Sequence, residues 1–281
     1  MLRVAVPNKG SLSDPATAML REAGYRQRRD HRELVLIDPE SGTEFFFLRP
    51  RDIATYVGAG QLEIGITGRD LLLDSDAEPD EILGLDFGHS TFRYAAVPGS
   101  ATTIADFAGK RIATSYSGIV RKDLQKHGIE ASVVHLDGAV ETAVRLGVAD
   151  IIADVVSTGT TLRQAGLEIV GDPILQSEAV LIRRPGAEPS DEVDHLLRRI
   201  NGVIIARQYV MIDYDVRTEL LDEAAALTPG IESPTISPLQ DTDWVAVRAM
   251  VTRKETHRIM DELWNLGAKG ILVTDILACR L

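Results

Sequence analysis

The feature that most constrains the fold is a plan of strand, loop and helix that recurs along the first 180 residues. Segments 2–25 and 110–129 each contain a basic residue, an apolar strand, a polar loop with glycine, and a helix that ends at glycine. Segments 62–72 and 149–162 share a second plan, in which an acidic residue and an apolar strand lead through a Thr-Gly turn into a helix. Strands alternating with helices indicate a parallel α/β fold. Two similar lobes would place four polar loops around a cleft, where open α/β sheets bind ligands.

The pattern changes after about residue 185. Residues 183–208 begin with a Pro/Gly-rich turn and continue as an amphipathic helix, which we interpret as a connector. From Tyr209 the predicted elements follow the order βαββαβ, the ferredoxin-like plan, and the second helix carries apolar residues at helical spacing from Ile259 to Leu266. A compact module that follows a catalytic-looking body suggests regulation or assembly.

Length and charge restrict the classes of protein to which the chain can belong. Its 281 residues are enough for roughly two domains with sizeable cores. The net charge of −12 argues against nucleic-acid binding, which needs a basic surface, but it allows phosphorylated small molecules. We find neither a membrane-spanning apolar run nor a signal-peptide core, so we expect a cytoplasmic protein with no membrane partner. The single cysteine, Cys279, excludes an internal disulfide, and we expect it to be buried in the last strand.

Several familiar catalytic motifs are missing. The sequence contains no Walker A motif, no G-x-G-x-x-G, no H-E-x-x-H and no nucleophile elbow. Its six histidines lack metal-ligand spacing, so we interpret them as surface or capping residues. Hydrolysis by a catalytic triad or by zinc is therefore not favoured.

A run of hydroxyl side chains follows the apolar strand 151–156. Ser157, Thr158, Gly159, Thr160 and Thr161 would form a turn at a helix N-terminus, where backbone N–H groups and the helix dipole favour a phosphate. Asp154, inside the strand, can accept hydrogen bonds from sugar hydroxyls. This pattern predicts a sugar-phosphate site, and a plain helix-capping turn is the alternative.

The other candidate ligand-binding residues follow further strands. Lys9 follows the first strand in "PNKG", and Arg49 and Arg51 follow the apolar strand "FFFL", where guanidinium groups suit phosphate recognition. Asp70 ends the turn "GITGRD" and could fix a ribose or cap a helix, while Tyr116 in "TSYSG" could stack on a base or pack in the core. Lys9 could equally be a solvated turn residue.

Together these residues resemble a known family. The stretch from Glu141 to Leu162, "ETAVRLGVADIIADVVSTGTTL", matches at every fixed position the signature of the ATP phosphoribosyltransferases. The segments "VPNKGSL", "FFFLRPRDIATYV", "LEIGITGRDLL" and "TFRYAAV" recur in the family's order, so the resemblance covers almost the whole chain. The βαββαβ tail resembles that of the long form, which is inhibited by histidine and needs no separate regulatory subunit.

The resemblance implies an activity and a domain organisation. The family joins adenine N1 of ATP to C1′ of phosphoribosyl pyrophosphate in the first step of histidine biosynthesis. Its catalytic body is an α/β fold with two lobes, like a periplasmic binding protein. By similarity, lobe I comprises 1–90 and 179–207, lobe II comprises 91–178, and 208–281 form the regulatory ferredoxin-like (ACT-like) domain.

The resemblance also assigns site residues. Lys9 and Asp154 are expected to be catalytic. The phosphoribosyl pyrophosphate site is expected to comprise Glu141, Asp154, Ser157, Thr158, Gly159, Thr160 and Thr161. The ATP site is expected to comprise Lys9, Arg49, Arg51, Asp70, Ser90 and Tyr116. For Glu141 a structural contact with the second-lobe loop is an alternative role.

Regulation and the cofactor are likewise implied by the family. Histidine is expected between neighbouring ferredoxin-like modules of a homo-oligomer, dimer to hexamer, with AMP as a further inhibitor. The residues expected at the histidine site are Asp215, Ile231, Ser233, Pro234, Thr235, Met250 and Gly270. Mg²⁺ is expected to bind mainly through substrate phosphates. One departure is "TSYSGIV", where Ser117 and Gly118 stand in place of an expected proline and predict a looser loop.

Three rival interpretations stay open at this point. A solute-binding protein would also have two lobes and a cleft, but should carry a signal peptide if it were periplasmic. A phosphoribosyltransferase acting on a purine base would carry two adjacent acids before its T-G-x-T loop, whereas here Ala153 precedes Asp154. The tail could serve assembly alone.

Overall fold

The computed structural model describes residues 1–28, 30, 32–156, 159–188 and 190–280. The chain divides into two compact units. The first unit comprises Met1–Ala18 with Arg26–Val193, and the second comprises Met19–Tyr25 with Asp194–Leu281. The three-domain boundaries expected from the sequence stay a prediction.

The chain begins with a six-stranded sheet, which with its helices we call the first lobe. Its first elements are β1 (Arg3–Pro7), α1 (Ser13–Glu22), β2 (Val35–Asp38), β3 (Thr43–Leu48), α2 (Pro50–Gly58), β4 (Ile64–Gly68), α3 (Arg69–Asp74) and β5 (Asp80–Gly84). The strand order is β2-β3-β1-β4-β11-β5, where β11 (Ala179–Arg183) comes from later in the chain. The carboxyl ends of the parallel strands β1, β3 and β4 therefore lie along one edge.

Apolar strands and one helix face explain the packing of this lobe. β1 is buried over Val4, Ala5 and Val6, as expected for a strand with neighbours on both sides. Pro50 begins α2, where a missing N–H costs nothing, and Ile53 and Val57 of that helix are fully buried. Each such buried side chain contributes roughly 1.5–3 kcal/mol to folding.

A five-stranded sheet forms what we call the second lobe. Its elements are β6 (Ser90–Ala96), β7 (Arg111–Thr114), α4 (Ser117–His127), β8 (Ser132–His135), β9 (Ile151–Val156), α5 (Thr160–Gln164) and β10 (Glu168–Ser177), with single 3₁₀ turns at Ile104–Phe107 and Val140–Thr142. The strand order is β10-β6-β9-β7-β8. The chain then returns to the first lobe through β11 (Ala179–Arg183) and continues as α6 (Asp191–Gln208).

Both sheets are mixed, whereas the alternation of strands and helices predicts parallel ones. β7 pairs in parallel with β8 and β9, but β6 pairs antiparallel with both β9 and β10. In the first lobe β11 likewise pairs antiparallel with β4 and β5. Four of the antiparallel strands, β5, β6, β10 and β11, adjoin the two crossings between lobes, where the chain changes sheet without a crossover helix, and β2 pairs antiparallel with β3, the next strand in sequence. The α/β fold class is confirmed, with this correction to strand direction.

The last strands form a separate four-stranded sheet in the second unit. Its elements are β12 (Tyr209–Arg217), α7 (Leu221–Leu227), β13 (Thr235–Pro238), β14 (Trp244–Thr252), α8 (Thr256–Leu266) and β15 (Lys269–Asp275). All neighbours in the order β13-β14-β12-β15 pair antiparallel, so the βαββαβ prediction is confirmed. Alternate residues of β12, among them Ile212 and Tyr214, enter the core beneath the helices, and the buried Tyr214 hydroxyl hydrogen-bonds Thr228 Oγ1 at 2.7 Å.

The prediction for Cys279 is wrong. β15 ends at Asp275, which pairs with Val210 near the start of β12, so the strand has no further partner on β12 beyond that point. Cys279 lies four residues later and is only half-buried. A Cβ at Gly202 of α6 would overlap the Cys279 carbonyl oxygen, so this tail runs directly against the helix backbone.

None of the described helices has a stretch apolar and long enough to pass through a membrane.

Candidate active site

A cavity of about 600 Å³ opens between the two lobes of the first unit. Eight of the residues predicted at the substrate sites line it: Lys9, Asp70, Ser90, Tyr116, Glu141, Asp154, Gly159 and Thr161. They come from six separate stretches of sequence, and the strand ends and crossings bring them together. Within the described part of the chain, Arg49, Arg51 and Thr160 are not among the lining residues.

Sequence reasoning missed a second group of lining residues. These are Gly10, Ser11, Leu12, Pro50, Gly68, Leu71, Gly88, His89, Val155, Val156 and Leu162. Most of them are immediate neighbours of predicted residues, so the quoted motifs contained a signal for them. His89 directly precedes the predicted Ser90 at the crossing between the lobes, but none of the quoted motifs contains it.

The turn after β1 presents Lys9 to the cavity. The Asn8 N–H donates to the Leu48 carbonyl oxygen at 2.8 Å and its side-chain amide donates to the Phe47 carbonyl oxygen at 3.4 Å, so the turn is fixed to β3. Gly10 adopts a φ of +76°, a conformation that glycine allows without steric cost. Lys9 itself is exposed, as a side chain that meets a charged substrate must be.

Asp70 lies at the start of α3 and is 8% exposed. Its backbone N–H donates to Ser177 Oγ at 3.0 Å, and the Ser177 hydroxyl donates to Asp70 Oδ1 at 2.8 Å. Ser177 ends β10, 107 residues away in sequence, and sequence reasoning did not find it. This reciprocal pair fixes the orientation of the Asp70 carboxylate at the cavity wall.

Tyr116 is half-buried between an aromatic ring and a cation. Its ring meets Phe92 edge to face with centroids 5.2 Å apart, and the Arg51 guanidinium carbon lies 4.9 Å from the Tyr116 ring centroid. Burial raises the pKa of the Tyr116 hydroxyl most, followed by the charge of Asp70, a hydrogen bond from the hydroxyl to Asp70 and the charge of Asp154, whereas the Arg51 charge opposes this, so the hydroxyl stays protonated. The ring thus packs on the core and also lines the cavity.

Arg51 is already engaged by a carboxylate of the protein. Its Nη1 donates to Asp74 Oδ2 at 2.7 Å, and the Asp74 side chain is 8% exposed. Arg49 is exposed and lies directly before α2. Of the two arginines, Arg51 therefore contacts a residue that lines the cavity, Tyr116, and does not line the cavity itself.

Asp154 projects from β9 in a half-buried position. Burial raises the pKa of its carboxyl most, a hydrogen bond from the Val155 N–H opposes this, and the negative charges of Glu141 and Asp70 raise the pKa further. Among the described residues the one hydrogen bond recorded for this carboxylate is that from the Val155 N–H, and a carboxylate in this setting suits hydroxyl donors of a ligand.

The short helix α5 follows the predicted phosphate loop. Ser157 and Thr158 lie outside the described residues, and the description resumes at Gly159, the N-cap residue, with a φ of +70°. Thr160 and Thr161 are exposed on the first turn of α5, and buried Leu162 anchors that turn. The Thr160 hydroxyl accepts a hydrogen bond from Arg163 Nη2 at 3.3 Å.

Glu141 belongs to the 3₁₀ turn Val140–Thr142. Its backbone is fixed by Thr142, whose N–H and hydroxyl both donate to the Ala139 carbonyl oxygen at 3.0 and 2.8 Å. Ala139 has a φ of +49°, a left-handed conformation that strains a residue with a Cβ. Glu141 lines the same cavity as Asp154, and its charge acts on the Asp154 carboxyl.

The residues predicted to bind histidine are spread over the second unit's sheet. Asp215 and Met250 lie on the face of β12 and β14 opposite the core, and Thr235 lies on β13. A Cβ at Gly270 would lie 3.5 Å from Asp215 Oδ2, so these two residues are neighbours. The remaining predicted residues precede β13: Ile231, Ser233 and Pro234.

The acidic lining of the cavity can be compared with the needs of a divalent metal ion. Asp70, Glu141 and Asp154 all line it, and a cation would offset both the burial and the neighbouring negative charges that raise the Asp154 pKa. Among the described residues, however, no group of three or more His, Cys, Asp or Glu is arranged to hold a metal ion. The residues fit a hydrated ion carried by substrate phosphates better than a protein cage.

Comparisons with known proteins agree along the whole chain. A family model described as ATP phosphoribosyltransferase matches residues 49–202, and one described as the HisG C-terminal domain matches residues 206–278. ATP phosphoribosyltransferases from Arthrobacter sp. (strain FB24) and Pseudarthrobacter chlorophenolicus are 64% and 65% identical to the chain, with 100% of both sequences covered in each case. The solved ATP phosphoribosyl transferase (HisG:HisZ) complex from Thermotoga maritima contains a chain with a TM-score of 0.65 and 27% identity, covering 73% of this chain and 98% of that one.

Proposed function

The chain belongs to the ATP phosphoribosyltransferase family in its long form, an enzyme family of histidine biosynthesis, and we propose that the cavity between its lobes joins adenine N1 of ATP to C1′ of phosphoribosyl pyrophosphate. The observation that carries the proposal is the meeting of Asp154, Gly159 and Thr161 from one lobe with Lys9 and Asp70 from the other in one cavity. A direct transfer needs both substrates in contact, and a cavity with two lobes can hold one on each wall.

The phosphoribosyl group is assigned to the wall formed by β9 and α5. Asp154 accepts hydrogen bonds from the ribose hydroxyls, and the loop from Ser157 to Thr161 donates to the 5′-phosphate. Ser157 and Thr158 keep this role as a prediction from the sequence. Glu141 keeps the Asp154 carboxyl in an environment of negative charge, which favours binding of hydroxyl donors.

ATP is assigned to the wall formed by α3, Ser90 and the start of α4. Asp70, oriented by Ser177, and the protonated Tyr116 hydroxyl present an acceptor and a donor to the nucleoside. Lys9 and Arg49 are exposed cations that can meet the phosphates of ATP or of pyrophosphate. Arg51 supports the Tyr116 ring from its outer side.

Catalysis is assigned to positioning and electrostatic stabilisation. Adenine N1 is a weak, neutral nucleophile, so the reaction needs close alignment with C1′ and stabilisation of the oxocarbenium-like transition state. The carboxylate of Asp154 lies beside the ribose, where it stabilises positive charge, and Lys9 stabilises the departing pyrophosphate. The displacement inverts the configuration at C1′.

Mg²⁺ fits this scheme as a companion of the substrate. When bound, the ion neutralises pyrophosphate charge and so makes it a better leaving group. Asp70, Glu141 and Asp154 are the described carboxylates that can orient its water ligands.

The second unit is assigned to regulation by histidine. Its ferredoxin-like sheet presents Asp215 beside Gly270, so a cationic amino group can approach the carboxylate without a side chain in the way. We extend the proposal to a homo-oligomer, from dimer to hexamer, in which histidine and AMP inhibit a cytoplasmic enzyme. Assembly without regulation is the competing assignment for this unit.

The proposed activity is tested by mixing the protein with ATP, phosphoribosyl pyrophosphate, Mg²⁺ and pyrophosphatase while following ultraviolet absorbance. We expect an absorbing product that requires both substrates and is lost in Asp154→Ala. Binding of both ligands without any product would favour a solute-binding protein, and product with free adenine in place of ATP would favour a purine-base enzyme.

A further inference from the structure

The feature that carries this inference is a set of contacts between α3 of the first lobe and α4 of the second. Asp74, the last residue of α3, accepts hydrogen bonds at Oδ1 from the backbone N–H groups of Gly118 at 2.7 Å and Ile119 at 3.2 Å. Its other oxygen, Oδ2, accepts the hydrogen bond from Arg51. Beside it, Lys122 Nζ donates to the Leu73 carbonyl oxygen at 2.9 Å. One carboxylate therefore joins α2, α3 and α4.

The first turn of α4 needs this distant partner. Helices begin with N–H groups that have no partner within the helix, and a Ser, Thr, Asp or Asn at the N-cap usually satisfies one of them. Here the N-cap is Tyr116, which makes no side-chain cap hydrogen bond among the described residues. Asp74, 44 residues earlier than Gly118 in sequence, supplies the acceptor instead.

Gly118 makes the contact possible. A Cβ at this position would overlap the Asp74 carbonyl oxygen and lie 3.1 Å from Asp74 Oδ1. Ser117 and Gly118, where the sequence departs from the family pattern, begin α4. Gly118 allows the close approach of Asp74, and the looser loop expected from the sequence stays a prediction.

We propose that Asp74 is a positioning residue that fastens the two lobes together and holds Arg51 against the Tyr116 ring, setting the ATP wall of the cavity. The proposal rests on the proposed assignment of Tyr116 to ATP. If the lobes separate, α4 loses its cap and Arg51 loses its ion partner, so the cavity wall and the lobe arrangement are coupled. Asp74 does not line the cavity itself, since it acts through Arg51 and the start of α4.

The fastening is tested without substrates by amide hydrogen exchange at residues 117–121. We expect exchange at Gly118 and Ile119 to accelerate about tenfold in Asp74→Ala, because a hydrogen bond to a charged acceptor is lost. Asp74→Asn keeps an oxygen acceptor and should remain closer to wild type. Asp76→Ala, which removes an exposed carboxylate two residues further on, should leave exchange unchanged.

Gly118→Ala gives an independent check that leaves Asp74 intact. Alanine favours helix over glycine, so local propensity predicts slower exchange in α4. The proposal predicts faster exchange, because the new Cβ pushes the Asp74 segment away. Slower exchange in this variant, or unchanged exchange in Asp74→Ala, would overturn the proposal that Asp74 joins the two lobes.

The positioning role is tested by steady-state kinetics of the full-length enzyme. We expect the KM for ATP to rise about tenfold in both Asp74→Ala and Asp74→Asn, since neither keeps the charge that holds Arg51, while the KM for phosphoribosyl pyrophosphate changes less than twofold. Equal increases for both substrates would overturn it. An unchanged KM for ATP in Tyr116→Ala would instead contradict the assignment of Tyr116 to ATP, so the two failures are distinguishable.

Discussion

At the scale of single residues, the described carboxylates Asp70, Glu141 and Asp154 line one cavity and influence one another. Asp154 is the clearest case, because burial raises its pKa and the charges of Glu141 and Asp70 raise it further. An acid in this state costs folding free energy when it ionises. As pH rises through the raised pKa, the native state therefore loses stability relative to an unfolded chain with the ordinary pKa. Retaining such a residue makes sense where a ligand satisfies it.

The pH dependence of substrate binding follows from this arrangement. As pH falls through the raised pKa of Asp154, protonation removes the acceptor for ribose, so the KM for phosphoribosyl pyrophosphate should rise. Glu141→Gln removes a repelling charge and lowers that pKa, which should move the rise to lower pH. Initial rates across an acidic pH series measure the shift, with the exposed Glu130→Gln as control. An inflection at the same pH in Glu141→Gln and wild type would contradict the account.

Residues with a local signature could be predicted from the sequence, and those defined by a distant partner could not. Lys9 and Asp70 follow strands and Asp154 lies within one, each in a short motif, and all three line the cavity. Ser177 acts through a residue 107 positions away, and Asp74 acts through residues 44 and 23 positions away, so their spacing carries no signal. Arg51 was predicted as a phosphate ligand, but its ion pair with Asp74 is visible only in the folded chain.

At the scale of elements, the phosphate loop depends on a backbone conformation as well as on hydroxyl groups. Gly159 lies in the left-handed region with a φ of +70° and caps the short helix α5. Gly166, two residues after α5, has nearly the same φ of +73° but is not among the described lining residues. The two glycines therefore form a matched pair that separates backbone strain from ligand binding.

Alanine substitutions at this pair should affect stability alike and substrate binding differently. Each should lower the free energy of unfolding by roughly 1–2 kcal/mol, the cost of the left-handed conformation for a residue with a Cβ. Gly159→Ala should also raise the KM for phosphoribosyl pyrophosphate several-fold, whereas Gly166→Ala should not. Urea unfolding and initial rates measure the two effects. A similar rise in KM for both variants would show that the loop acts only through stability.

Element boundaries were predictable where the sequence pattern is long and periodic. The βαββαβ order of residues 209–275 agrees with the structure because the central strands β12 and β14 alternate between core and opposite face and the helices pack apolar residues against them. The antiparallel strands at the lobe crossings were not predictable, since a strand's direction in a sheet depends on where the chain comes from. The helical start of α4 was also missed, because its cap comes from another lobe.

At the scale of the whole molecule, a body with two lobes carries the chemistry and a ferredoxin-like unit carries the proposed control. The sequence predicted this combination of a two-lobed body and a ferredoxin-like unit, because the family signature and the tail pattern each lie within a short stretch of sequence. How a histidine signal would pass from one unit to the other depends on assembly, which no pattern along one chain encodes. The regulatory site can still be tested by itself.

Asp215→Ala should weaken histidine binding about tenfold or more, since it removes a charged acceptor for the amino group. Asp213→Ala is the matched control, because Asp213 lies two residues away on the same face and pairs with the exposed Arg248 at 2.6 Å. Isothermal titration of both variants and wild type with histidine measures the difference. Unchanged binding in Asp215→Ala would favour an assembly role for this unit.

The most direct test of the account is the division of the cavity between its two substrates. Initial rates with both substrates varied should be measured for wild type, Asp154→Ala and Thr161→Ala. We predict that each substitution raises the KM for phosphoribosyl pyrophosphate about ten- to hundredfold, through lost hydrogen bonds to charged groups, with a much smaller effect on the KM for ATP, while any fall in kcat is common to both substrates. Equal effects on the two substrates would contradict the assignment of Asp154 and α5 to the phosphoribosyl group.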